Sequence, residues 1–181
     1  MTKTKKISIR DICFISIFAA IITVCAQIQI PMPYGVPLTL QTFAIPLAGV
    51  VLGTKNGTIA TLLYILLGAI GVPVFAGFTG GLGIVFGRTG GFILSFPLMA
   101  LTAGIGAKKN HLWLTLWLVI GAIANFACGM AMFSLVTENS MVASFAFVVL
   151  PFLPTAAIKI GLVVGLGKLI KQALVKARVL V

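Results

Sequence analysis

The feature that most restricts this chain is its poverty of charge. Only 8% of its 181 residues are charged and 60% are hydrophobic, whereas an ordinary soluble domain carries about 25% charged residues. A soluble chain of this length needs a polar shell, and thirteen Lys and Arg with two acids cannot supply one. Disordered chains are excluded by the same apolar excess. What remains is an integral membrane protein with several spanning helices. Each span needs about 20 residues, which leaves room for roughly six with short loops and no soluble domain beside them. The expectation is an all-α membrane protein of six transmembrane helices with ordered outer loops, a single transmembrane domain over 1–181.

Glycine, proline and polar residues divide the apolar sequence. The first span is expected over 9–28. Pro31, Pro33, Gly35 and Pro37 then make an ordered loop. Spans two and three are expected over 38–52 and 58–71, joined by a tight turn at 53–57. Segment 72–91 holds Pro73 and seven glycines from Gly77 to Gly91. It is too rich in glycine for a plain helix and too apolar for a solvated loop, so it belongs against protein or along a cavity. Spans four, five and six are expected over 92–107, 112–136 and 155–174. Segment 141–150 is apolar but too short to cross, which makes it interfacial or re-entrant.

Lysine placement sets the orientation. Lys3, Lys5, Lys6 and Arg10 precede span one, and Lys55 lies between spans two and three. Lys108 and Lys109 lie between four and five, and Lys168, Lys171, Lys176 and Arg178 end the chain. Six spans put all of these on one side, which the positive-inside rule makes cytoplasmic, with both termini. The lysines before the first apolar run have the outline of a secretory signal, but that run is long and lacks a clear cleavage site, so it reads as a retained span. Arg88 and Lys159 alone fall on the outer half, where Glu138 is the one acid. Two outer cations against one acid call for an anion from elsewhere, since an unpaired charge near the bilayer is costly.

The candidate site residues follow from that imbalance. Lys159 is either a lysine that snorkels to the headgroups or an ammonium that pairs with a ligand carboxylate, and Pro151 and Pro154 shape the start of its helix. Arg88, in Gly87-Arg88-Thr89-Gly90-Gly91, precedes span four, where free backbone N–H groups favour anions. Gln41 stands at the outer edge of span two, and Asn125 lies about 21 Å along span five from its inner end. Each can bind ligand or bridge helices. Tyr34 can cap a site from the proline loop. On span one, Ser16, Ala19, Ala20 and Thr23 fall on one face. Such a small-residue stripe admits a close helix, from this chain or from a separate membrane subunit.

Other function classes find little support. The single histidine, His111, sits beside Lys108 and Lys109 with no acid near it in the sequence, and there is no paired carboxylate. Cys13, Cys25 and Cys128 are odd in number and unclustered, so neither a metal site nor a disulfide framework is expected. Basic and aromatic residues share no exposed face suited to nucleic acid. No Gly-Lys-Ser/Thr phosphate loop is present, so energised work would draw on another chain.

The run from Ile30 to Ala44, with Val36-Pro37-Leu38-Thr39-Leu40-Gln41-Thr42-Phe43 at its centre, resembles the BioY family of biotin transporters. So do the segments 67–81 and 86–92, and the likeness spans nearly the whole chain. The resemblance implies the substrate-binding S component of an energy-coupling factor (ECF) transporter in the cell membrane, not an enzyme and without a cofactor. Its ligand is biotin, whose valerate carboxylate is the missing anion. Its implied partners are a transmembrane T component, which the span-one stripe would meet, and two ATPases, with lipid around the helices. Under this resemblance Lys159, with Arg88, faces the carboxylate. Gln41, Asn125 and Thr79 face the ureido ring, and Phe75 and Phe78 bury the fused rings. The family often has Asp three positions before the lysine, where this chain has Ala156, and more often has Pro at Arg88. Lys159 is therefore the stronger ligand candidate. The rival expectations are an S component for another anionic vitamin and a structural membrane subunit that binds no small molecule.

Overall fold

The computed structural model describes residues 8–177. Lys3, Lys5, Lys6 and Arg178, which bear on orientation, lie outside the described residues. Helix α1 (Ile9–Gln27) starts at a capping box: the Ser8 hydroxyl accepts from Asp11 N, and the Asp11 carboxylate accepts from Ser8 N. Strands β1 (Gln29–Ile30) and β2 (Leu38–Thr39) then pair antiparallel, Gln29 opposite Thr39. A tight turn at Pro33–Gly35 joins them, with Tyr34 and Gly35 both at positive φ.

Helix α2 (Gln41–Ala69) is broken at Gly53, which has φ 80° and ψ 173°. A straight helix would put Gln41 and Tyr64 about 34 Å apart, yet the Gln41 amide donates to the Tyr64 hydroxyl. Arms 41–52 and 54–69 therefore run antiparallel as a hairpin. The expected five-residue turn at 53–57 is really one residue, because Gly53 alone leaves the helical conformation for a positive φ and Thr54 already starts the second arm. Gly57 permits this: a β-carbon there would sit 2.7 Å from the Gly49 Cα.

After the 71–89 segment, with a single turn at α3 (Leu82–Val85), come α4 (Gly90–Gly106), α5 (His111–Thr137), α6 (Met141–Val148) and α7 (Leu153–Lys176). The eight-residue α6 is far too short to cross, as expected from its sequence. Among the described residues four helical stretches, 9–27, 41–69, 111–137 and 141–176, are long and apolar enough to span a membrane, and α4 is a shorter apolar helix. Counting the two arms of α2 separately, the described residues form six helical segments besides the short α3 and α6, the all-α membrane fold expected.

Small residues let these helices close. A β-carbon on Gly49 would collide with the Ala100 carbonyl of α4, and one on Gly91 would collide with the Cys128 carbonyl of α5. The main core lies between α1, α2 and α4 around Ile22, Ile45 and Tyr64. Large apolar side chains on the outer faces, among them Ile17, Leu66, Ile123 and Leu162, stay exposed, which suits hydrocarbon surroundings.

The two ends of the bundle differ. At one end Asn56 donates to Asp11, and Lys168 Nζ donates to the Lys109 carbonyl, so the start of α1, the α2 turn, the α4–α5 turn and the last turns of α7 gather there. The β1–β2 loop, segment 71–89 and α6 occupy the other.

Candidate ligand cavity

A cavity of about 300 Å³ opens among the loop-end residues, at the lower edge of the usual range for small-molecule sites. Its walls come from the β1–β2 loop (Gly35 to Thr39), segment 71–89 (Phe75, Ala76, Thr79), α4 (Phe92, Phe96, Met99), α5 (Ala122, Asn125, Phe126), Phe152 just before α7, and α7 itself (Ala156, Lys159). The lining is mainly apolar, with a few convergent polar groups.

Lys159 is the central one. It is 7% exposed, and its Nζ donates to the Thr39 carbonyl at 2.7 Å and to the Thr42 hydroxyl at 2.9 Å. Sequence places it there in two steps. Pro151 and Pro154 end α6 and start α7 at the loop end, and Lys159 follows about one and a half turns later. Opposite, β2 gives way to α2 at Leu40, which leaves the Thr39 carbonyl free of the helix and aimed at the ammonium. An ammonium has three donors, and two are used within the protein. Neither acidic residue of the chain lines the cavity, and among the described residues no carboxylate pairs with Lys159. Ala156 lines the cavity on the same helix face and adds no charge.

Gln41 lies beneath this group. Its Oε1 accepts from the Thr39 hydroxyl at 2.8 Å and its amine donates to Tyr64, so both ends of its carboxamide are engaged by protein. Asn125 is 2% exposed. Its Nδ2 donates to the Phe92 carbonyl at 2.9 Å and to Ser95 Oγ at 2.7 Å. Those two bonds hold the carboxamide plane, and among the described residues nothing donates to its Oδ1. Phe75 is buried, its ring set edge-on to Tyr64 at 5.5 Å and seated over Gly68.

Of the residues expected at a site, Lys159, Gln41, Asn125, Phe75 and Thr79 line this cavity and Tyr34, Phe78 and Arg88 do not. Tyr34 stacks instead on Phe147 of α6 at 3.8 Å. Phe78, at a positive φ, is 72% exposed and lies outside the cavity lining. Arg88 is exposed and crosses Gly35, with its guanidinium 3.3 Å from the place of a β-carbon on that glycine. Its side chain passes over the β1–β2 loop and stays outside the cavity lining. The span-one stripe divides as well: Ser16 and Ala20 are exposed, Thr23 is half-buried, and Ala19 is buried in the core, because α1 packs on α2 through that side. Ser95, Tyr64 and the aromatic wall at Phe92 and Phe96 are not legible in the sequence as site residues, since each sits in an apolar run with nothing local to distinguish it. Among the described residues no cluster of His, Cys, Asp or Glu could hold a metal.

The sequence matches the BioY family over residues 1–176. The chain belongs to the BioY family. A Bacillus subtilis member, described as a probable biotin transporter BioY, is 30% identical over 172 residues, 91% of each chain. Another from Pyrococcus horikoshii, also a probable biotin transporter BioY, is 46% identical over 100 residues, 55% of this chain and 61% of that protein. The biotin transporter BioY of Thermotoga maritima is 46% identical over 102 residues, 56% of this chain and 60% of that protein. These two more identical relatives are thus matched over about three-fifths of their length. In three dimensions the BioY-family chain superposes with a TM-score of 0.83 and 25% identity on the crystal structure of the S-component for biotin from an ECF-type ABC transporter, over 95% of each chain.

Proposed function

We propose that this chain captures biotin from outside the cell as the substrate-binding S component of an ECF-type transporter. The observation that carries the reading is a buried ammonium without a carboxylate partner, facing an apolar cavity of about 300 Å³. In such surroundings an ionised group needs a partner, and biotin supplies one with its valerate carboxylate. The remaining Lys159 donor is directed to that carboxylate. The fused rings pack among Phe75, Phe92 and Phe96. A ureido N–H meets Asn125 Oδ1, an acceptor held in place by Phe92 and Ser95. Gln41, with both ends engaged, supports the Thr39–Lys159 pair, and Thr79 closes the wall. Arg88 and Tyr34 act from above by holding the loops, and Phe78 faces outward.

The same reading places the protein in the cell membrane with six passes and both termini in the cytoplasm, because the basic turns gather at one end of the bundle. A T component docks on the exposed part of α1 around Ser16 and Ala20, and two ATPases supply the energy. Equilibrium titration of the purified chain with labelled biotin tests the assignment. Saturable binding that unlabelled biotin displaces is expected. Its absence, in a chain that stays folded, would sink the reading.

A further inference from the structure

The wall formed by 74–79 has one tie to α1 that ligand contact does not require. Gln27, the last residue of α1, reaches across to it. Its Nε2 lies 3.3 Å from the Val74 carbonyl and 3.1 Å from the Phe75 carbonyl, and also 3.2 Å from Thr23 O of its own helix. Its Oε1 accepts from Phe78 N at 2.9 Å. One carboxamide thus meets both legs of a tight turn, in which Phe75 N also donates to the Thr79 carbonyl at 2.9 Å.

That turn has two bonds of its own, the one from Phe75 N and one from the Thr79 hydroxyl to the Ala76 carbonyl at 3.0 Å, but neither satisfies the Phe78 N–H and the turn includes unfavourable backbone. Gly77 and Phe78 are consecutive residues at positive φ, 71° and 54°. The left-handed conformation is unfavourable for phenylalanine, and the exposed Phe78 ring adds little packing to offset it. The Phe75 ring anchors only the first leg. Beyond it, Ala76 and Thr79 face the cavity, and Gln27 is the side chain that satisfies the Phe78 N–H.

We propose that Gln27 is a positioning residue of the ligand site, clamping turn 75–79 onto the end of α1 and thereby setting the rate at which ligand leaves the cavity. The inference rests on the reading of the cavity as a biotin site. Because the clamp is anchored on α1, it also makes the wall move with that helix. Gln29, two residues on, is the control, since its side chain reaches Gly77 but has no hydrogen bond among the described residues.

The test combines ligand kinetics with amide exchange on the full chain in nanodiscs. Gln27→Leu is expected to raise the dissociation rate of labelled biotin by about tenfold, the scale of losing its hydrogen bonds to Val74, Phe75 and Phe78 together. Gln29→Leu is expected to leave it unchanged. In ligand-free protein, exchange should quicken in Gln27→Leu at the peptide that covers 74–80, with helix peptides and the thermal midpoint unaltered. Gln27→Glu keeps the acceptor for Phe78 but loses the donors to Val74 and Phe75, and should fall between. Unchanged dissociation and exchange in Gln27→Leu would overturn the clamp. So would a uniform rise of exchange across the helices, which would mark a merely structural role. A wild-type chain that binds no biotin would remove the ligand reading alone, and the exchange arm would then decide the clamp.

Discussion

Lys159 and Lys168 stand on the same helix and differ by where their charge goes. Lys159 ends in a mainly apolar pocket on two neutral oxygens, whereas Lys168 lies at the basic end on the exposed Lys109 carbonyl. Removing a charge that pairs with a buried ligand carboxylate costs roughly 2–5 kcal/mol, most of it from stranding the partner. Lys159→Met is accordingly expected to weaken biotin binding by at least tenfold, and Lys168→Met by little. Titrations of the two variants side by side would show it, and equal effects would count against the assignment. Residue type and position are enough to make Lys159 conspicuous, because a lone lysine near the start of an apolar helix, away from the basic turns, is costly. Its partners, the Thr39 carbonyl and the Thr42 hydroxyl, lie 120 and 117 positions away, and no local pattern encodes such a pairing. The same holds for Asn125, whose orientation depends on Ser95 across a helix interface.

Among the elements, glycines decide how closely helices meet. At Gly49 a side chain would drive into the Ala100 carbonyl, which as backbone cannot swing aside. Gly49→Val is therefore expected to destabilise the fold by at least ~1–3 kcal/mol, the usual cost of overpacking. At Gly161 nothing lies within 4 Å of the added carbon, and Gly161→Ala should be neutral or stabilise by up to about 1 kcal/mol through helix propensity. Thermal unfolding of the purified variants in one detergent would separate the two, and a similar loss for both would contradict the packing. Periodicity cannot tell these glycines apart, since each sits in an apolar helix, and only the neighbouring element shows which has room. The α2 hairpin makes the same point. Gly53 is recognisable as part of a turn, but its one-residue tightness depends on Gly57 nesting against Gly49.

For the whole molecule, the separation of a basic end from a ligand end implies a division of labour. In the function proposed above, capture belongs to the cavity and coupling to a partner belongs to the lipid-facing helix sides. Ala20 is exposed on α1 and remote from the cavity lining, so Ala20→Leu should spare biotin binding while lowering uptake and co-purification with a T component. Close helix approach over small residues does not tolerate a branched side chain without separating the backbones. Normal assembly and uptake in the variant would move the docking face elsewhere. Ala19→Leu is a different experiment, because Ala19 is buried against α2 and its enlargement strains the core instead.

Composition alone determined that this chain lives in a membrane, because so few charges leave no soluble fold available. Breakers and lysines likewise delimited six helical segments and gathered the basic turns at one end, since helix length, glycine, proline and charge act locally or through the surrounding lipid. Tertiary structure decided which candidates meet. It turned Tyr34, Phe78 and Arg88 away from the cavity and Ala19 into the core, aimed Asn125 inward, and gave Gln27 a hold on a turn some fifty residues distant. Those outcomes depend on backbone carbonyls and on the rotation of one helix against another, and neither is written in the order of side chains along the chain.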